Sequence, residues 1–499
     1  MTTTGCAPTG NILAEPRLTI DGKLVPSADD GVFANVNPAT EEVIGQTYDA
    51  TAYDMDRAIA AARRAFDETS WSTGHAFRKR CLLQLHEALG NHRELLRSVV
   101  VAEAGAPVVL TRTMQLDTPL SENLRWPAEM IDTFAWERDI GDSDLFGVHS
   151  WRRVLKEPVG VVGLIIPWNF PVETTLNKLG FALATGNTVV VKPAPDTPWN
   201  ATHIGRIIAE ETDIPPGVVN VVPSADHLRG EQLVDDPRVD MISFTGSTAT
   251  GRRIQERGAA TSKRLLLELG GKSAHIVLDD ADFPSVLGRC AFSTCVHSGQ
   301  GCALLSRVLV PRSRYEEAVE LIAAGFARVP YGDPTDPAHI QGPLVSARQR
   351  VRVLDYIRVG REEGAWLVLG GGRPAHLPRG YYVEPTLFAD VTTEMRIAQE
   401  EIFGPVLTVL SYEDEDDAVR IANDSPYGLS GAVSTASNER GMAIARRIRT
   451  GSFSVNGGVF HGADAPYGGY KASGLGRQTG PEGFEIHLET KTVAGTGTL

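Results

Sequence analysis

Residues 159–195 read VGVVGLIIPWNFPVETTLNKLGFALATGNTVVVKPAP. The stretch opens on an apolar run, Val159–Ile166, passes through a helix-like segment at 171–185, and returns to a second apolar run, Thr188–Val191. The same alternation continues downstream. Strand-like runs follow at Val218–Val222, Met241–Phe244 and Arg264–Leu269, with helix-like segments at 197–212, 226–235 and 247–258. Thr197-Pro198 reads as a helix cap followed by proline at the first helical position. Strand and helix alternating five times implies an α/β fold with a parallel, doubly wound sheet. Such sheets bind ligands beyond the carboxyl ends of their strands.

Outward from this unit, Met55, Ile59, Ala62 and Phe66 recur at spacings of three and four, which predicts a helix from Thr51. A second helical stretch, His75 to Glu103, ends at Gly105-Ala106-Pro107. From 271 to about 470 a second mixed region follows, with turn chemistry at Gly370-Gly371-Gly372 and Gly457-Gly458. The acidic run Glu413–Asp417 is expected to open a helix, where carboxylates suit the dipole. Phe484 to Leu488 alternates apolar and polar and reads as an edge strand.

The chain has 499 residues, enough for about three domains or two large ones. Its 48 basic and 62 acidic side chains leave a net charge of −14, so nucleic acid and anionic membrane surfaces are poor partners. No apolar run approaches the roughly 18 residues of a membrane helix. The opening MTTTGCAPTGNILAEPR lacks the basic and apolar regions of a secretory signal. Cys6, Cys81, Cys290, Cys295 and Cys302 are an odd set, suited to reduced thiols and a cytoplasmic location. They form no CxxC pair, and HExxH is absent, so no metal site is expected.

Four sites carry candidate chemistry. Cys302 ends Ser298-Gly299-Gln300-Gly301, whose small residues leave a thiol accessible, although an inert buried cysteine fits the same residues. Glu268 lies at the carboxyl end of a predicted strand, where burial penalises a charge that has no task; a salt bridge to Lys272 is the plainer alternative. Gly271-Lys272-Ser273 imitates the end of a phosphate loop, but Leu266 stands where that motif needs glycine. Asn169, between Pro167-Trp168 and Phe170-Pro171, is a rigidly held amide donor or a turn former. Phe244–Gly251 places small residues at a helix N-terminus, suited to pyrophosphate, though GxGxxG is missing.

In this order and at these separations, the motifs closely resemble the aldehyde dehydrogenase superfamily. The resemblance rests on Asn35, Pro38, Ala39 and Thr40, then Pro167–Pro171, Lys192-Pro193, Phe244–Ser247, Glu268–Lys272, Gly299–Cys302, Glu400–Pro405 and Pro466–Lys471. It implies a dinucleotide-binding domain of residues 1–139 and 159–270, and a catalytic α/β domain of 271–484. A small β oligomerisation element of 140–158 and 485–499 would build a homodimer or homotetramer. The implied activity is NAD(P)-dependent oxidation of an aldehyde to the acid. Cys302 would be the nucleophile and Glu268 the base, with Asn169 and the Cys302 amide as oxyanion donors. Lys178 would hold the active site in order and relay protons. Relatives that pass the acyl group to coenzyme A commonly lack the carboxylate matching Glu268, so its presence favours hydrolysis.

The resemblance carries the cofactor positions over to Lys192, Ser247, Glu401 and Phe403, with Thr245 and Gly246 beside the nicotinamide. Ile166, Pro167, Trp168, Pro195 and Leu269 belong to the same set. Pro195 replaces a glutamate that holds the ribose in many NAD-specific relatives, so NAD is preferred and NADP stays open. Gln478 replaces a second common carboxylate and weakens any relay through Lys178. Phe170, Thr174, Asn177, Val296 and His461 match substrate-tunnel positions and suggest a mixed polar and apolar pocket for a small aldehyde. Two rival readings are a cysteine hydrolase pairing Cys302 with His297 or His275, and a catalytically silent binding protein.

Overall fold

The computed structural model describes residues 13–498. Cys6 and most of the opening segment considered above as a secretory signal lie outside the described residues.

The stretch 159–269 forms the expected parallel unit. Its strands run in the spatial order Val219–Val221, Thr188–Lys192, Val161–Ile165, Met241–Thr245, Arg264–Glu268, all parallel. Antiparallel strands extend both ends: Leu18–Ile20 with Lys23–Val25 on one side, Gly474–Leu475 on the other. The middle residues of these strands are mostly apolar and buried because both faces are covered. Val189 and Val191 pack with helices Pro171–Ala184 and Trp199–Glu211. Val190, between them, points to the opposite face with Ala52–Glu68 and Leu228–Asp235.

A second sheet runs Trp366–Leu369, Thr386–Ala389, Val406–Tyr412, Leu305–Pro311, Ser273–Val277, Gly431–Ser434, Ser454–Val455. It is parallel except for its first strand. A third, antiparallel sheet joins Leu488–Gly495 to Val148–Pro158 and then Glu137–Asp139. Its hairpin tip exposes Phe146, 94% accessible, with Leu145 and Val148 beside it. No helix among the described residues is long and apolar enough to cross a membrane.

Several local expectations hold. Thr51 caps the helix from Ala52 in a capping box with Asp54, and Asp414 caps Glu415–Asn423. Three need correction. The stretch from His75 to Glu103 is two helices, His75–Asn91 and Arg93–Ala104, because Gly90-Asn91 disfavour continuation and His92 (φ −94°, ψ 12°) turns the chain. The edge strand expected at Phe484–Leu488 begins only at Leu488, since Gly480–Glu485 is helical and buries Phe484.

The third correction concerns Thr197, whose hydroxyl caps nothing. The helix Trp199–Glu211 is capped instead by a residue nearly a hundred positions earlier. The Trp199 and Asn200 amides each donate to Glu103 at 3.0 Å, and Asn35 Nδ2 donates to it at 2.8 Å. The Asn200 side chain completes the cluster. Burial lifts this fully enclosed carboxyl to about 7 against those donors. Glu103→Ala orphans them all, and should lower stability by about 3 kcal/mol, read as a reduced urea midpoint at unchanged slope.

Candidate active site

The first sheet passes directly into the second. Strand Arg264–Glu268 ends the first unit, Leu269-Gly270-Gly271-Lys272 crosses over, and Ser273–Val277 begins the next. Glu268 therefore stands at the carboxyl edge of the parallel sheet, where ligands bind. It is 2% exposed, and neither carboxylate oxygen has a hydrogen-bond partner within the protein. Burial pushes it up to about 8, with Lys178 and Arg477 opposing. The salt bridge to Lys272 is absent: the Lys272 ammonium is likewise buried without a partner, and burial drives it down to about 7.

Cys302 lies at the end of a constrained loop. His297, Ser298 and Gly299 all adopt left-handed backbone (φ 48°, 58° and 73°). Gly299 is required twice over, because an added Cβ would meet the Gly404 carbonyl at 2.0 Å. Ser298 Oγ donates to the Gly342 carbonyl at 2.6 Å, and the Val345 amide donates to Gln300 Oε1 at 2.9 Å. Asn169 Nδ2 donates to the Gln300 carbonyl at 2.8 Å, while Gln115 Nε2 holds the Asn169 carbonyl at 3.0 Å. The amide of Asn169 is thus locked against the cysteine loop, with one Nδ2 hydrogen uncommitted. Burial raises the Cys302 thiol to about 12, partly countered by the Tyr467 hydroxyl 3.4 Å from the sulfur.

Lys178 donates to Ser243 Oγ at 3.0 Å and to Gln478 Oε1 at 3.2 Å. Burial lowers it to about 8, with Glu268 and Glu173 opposing. Thr174 Oγ1 donates to Glu173 at 3.1 Å, and the Asn177 amide also donates to Glu173. Phe170 meets His297 edge to face at 5.5 Å, and His461 lies 5.3 Å from the Tyr467 ring. Val296 starts the loop to Cys302.

The loops after neighbouring strands form one rim. The Ile166 amide donates to the Lys192 carbonyl at 3.0 Å, and the Gly246 amide to the Glu268 carbonyl at 3.0 Å. Thr245-Gly246-Ser247 leads into the helix Thr248–Gly258, which Ser247 caps through the Thr250 amide. The Thr245 hydroxyl is buried with no partner. Lys192 Nζ donates to the Ser224 carbonyl at 3.1 Å. Glu401 accepts from the Gly271 amide at 2.9 Å, and Phe403 meets Trp168 edge to face at 5.4 Å. Pro193 and Pro195 follow the strand Thr188–Lys192, and Leu269 follows Arg264–Glu268. A helix N-terminus preceded by small residues, an orphan hydroxyl and a carboxylate across the rim suit a dinucleotide.

Neither histidine of the hydrolase reading serves Cys302. His275 Nε2 bonds Ser434 Oγ at 2.8 Å, and its other nitrogen faces Cys290 at 3.5 Å. His297 has no partner on either ring nitrogen, and burial holds it down at about 4. Among the described residues no cluster could hold a metal ion. The sequence reading gave no site role to Glu173, Ser243 or Tyr467. The available signal for Glu173 was a carboxylate in a helix buried on nearly every side. Tyr467 had none beyond its motif.

The model of the aldehyde dehydrogenase family matches residues 24–493. A 3-succinoylsemialdehyde-pyridine dehydrogenase from Pseudomonas sp is 42% identical over 480 residues, covering 95% of this chain and 98% of that protein. The crystal structure of a Mycobacterium tuberculosis aldehyde dehydrogenase complexed with NAD+ superposes with TM-score 0.92 at 42% identity, covering 96% of this chain and 97% of that one. A mutant of aldehyde dehydrogenase C from Pseudomonas syringae, complexed with NAD+ and octanal, gives TM-score 0.91 at 37% identity with 96% of each chain covered. The α/β architecture and the match along almost the entire sequence agree: the chain belongs to the aldehyde dehydrogenase family.

Proposed function

We propose that this enzyme oxidises an aldehyde to its carboxylic acid with NAD, using Cys302 as nucleophile, Glu268 as base and Asn169 as oxyanion donor. What supports this most is the pairing of an amide locked against the cysteine loop with a buried carboxylate that has no structural partner. Glu268 takes the thiol proton as sulfur attacks the carbonyl carbon. The electron pair displaced onto oxygen is received by the free Asn169 Nδ2 hydrogen and the Cys302 amide. Bound NAD supplies the hydride acceptor. After releasing the thiol proton to solvent, Glu268 removes a proton from the water that hydrolyses the Cys302 thioester.

Lys178 orders this region through Ser243 and Gln478. The Gln478 amide takes up no proton, so Lys178 acts as a positioning cation rather than a link in a two-acid relay. Thr245, Gly246 and Ser247 would receive the nicotinamide and pyrophosphate, and Lys192, Glu401 and Phe403 the two riboses. Ile166, Pro167, Trp168, Pro195 and Leu269 would wall the groove. Pro195 leaves no carboxylate to repel a 2′-phosphate, so NADP serves as a weaker alternative.

The segments 1–139 with 159–270 and 271–484 act in this reading as cofactor and catalytic domains. The element 140–158 with 485–499 joins subunits into a homodimer or homotetramer, since Leu488–Gly495 is a sheet edge beside the exposed Phe146 hairpin. The acidic charge and reduced thiols suit a cytoplasmic enzyme.

Thr174, Asn177 and His461, with Glu173 behind the first two, make the substrate side mixed in polarity against Phe170 and Val296. Of hydroxylated and alkyl aldehydes of equal length, the hydroxylated ones should give the higher kcat/KM; a clear alkyl preference would reject the polar pocket. Nicotinamide reduction should require aldehyde and vanish in Cys302→Ala. Asn169→Ala should lower kcat by about 10²–10³, the usual worth of one oxyanion donor.

Because burial raises Glu268 to about 8, most molecules hold its proton at neutral pH. Raising the pH frees the base, so kcat/KM should climb through about 8. Glu268→Gln should flatten that limb and lower kcat by about 10²–10⁴.

A further inference from the structure

Tyr467 Oη lies 3.4 Å from Cys302 Sγ and is the only polar partner of that sulfur among the described residues. Glu268 makes no hydrogen bond in this state, so the group in reach of the thiol is a phenol rather than the base. Tyr467 is rigidly placed. Its amide donates to the Gln478 carbonyl at 2.7 Å and its carbonyl accepts from the Gln478 amide at 2.7 Å. The next residue, Gly468, runs so close to the base that an added Cβ would lie 2.7 Å from Glu268 Oε1. Tyr467-Gly468 therefore borders nucleophile and base together.

We propose that the Tyr467 hydroxyl is the hydrogen-bond donor that holds and stabilises the Cys302 thiolate, making it a further catalytic residue. A neutral thiol donates to the phenol oxygen. Once its proton has passed to Glu268, the phenol rotates its own proton toward sulfur, with no change in the count of protons. A charge-assisted bond of this kind is stronger than the neutral one it replaces. Burial, with Cys302 and Glu268 alongside, holds the phenol proton well above its usual range, so Tyr467 remains a donor throughout. The field at the sulfur is otherwise adverse. Glu268, Glu401 and Glu173 all oppose thiolate formation, while Lys178 and Arg477 act on Glu268 and Lys272 acts on Glu401. The Tyr467 hydroxyl works against that field and favours the thiolate.

The inference rests on Cys302 being the nucleophile, and the test separates the two. Iodoacetamide alkylation of the intact enzyme is followed against pH, with mass spectrometry reading the Cys302 peptide and Cys302→Ala as the blank. In Tyr467→Phe the Cys302 rate at neutral pH should fall about tenfold, and its profile should move about one pH unit upward. Tyr467→Leu, which also lacks the hydroxyl but has a different shape, should shift the profile equally. Circular dichroism melting checks that each variant is folded. An unchanged profile in either folded variant overturns the inference while leaving the nucleophile in place. A wild-type Cys302 that resists alkylation at every pH overturns both.

Discussion

The six residues from Glu268 to Ser273 join one sheet to the other, and the active site is arranged around that crossing. The Glu268 carbonyl receives the Gly246 amide, the Leu269 amide donates to Ser473, and Ser473 Oγ donates to the Gly270 carbonyl. The backbone must then pass between two functional loops. A Cβ on Gly270 would lie 2.2 Å from Glu401 Oε2, and one on Gly271 would lie 2.7 Å from the Cys302 carbonyl. At Gly271, where the neighbour is backbone, a side chain would force the Cys302 loop away, whereas at Gly270 the Glu401 side chain would have to move. Glu268, the Cys302 loop and Glu401 are held in register by one short, bare stretch of chain.

Around this crossing the protein keeps polar groups it does not satisfy. Glu268, Lys272 and Thr245 are each buried without a partner. Glu103, equally buried, meets four donors and knits three segments together. The contrast separates structure from chemistry. A buried carboxylate that stabilises is surrounded by donors, whereas Glu268, proposed as the base, is left free to exchange its proton. The three successive left-handed residues before Cys302 are a similar concession, retained because the loop is bonded from several sides.

Periodicity and turn residues made the parallel unit legible, since a strand buried on both faces must be apolar and its crossovers must be amphipathic. The candidates Cys302, Glu268 and Asn169 stood out because glycine and proline flank them in sequence. The cap on Trp199–Glu211 was not, because its donor set spans residues 35 to 200. Nor was the break at His92, where two good helical patterns abut in one reading frame.

By itself the sequence determined the α/β class, the succession of strands and helices in 159–269, and the motifs that mark the family, because each depends on neighbours within about one turn or one strand. The tertiary structure alone decided that Glu268 is unpartnered, that Lys178 faces an amide at Gln478, and that Tyr467 touches the Cys302 sulfur. Those contacts join residues 165 to 300 positions apart. Local physics does not encode such distances; only the packing of two sheets across a shared crossing brings them into contact.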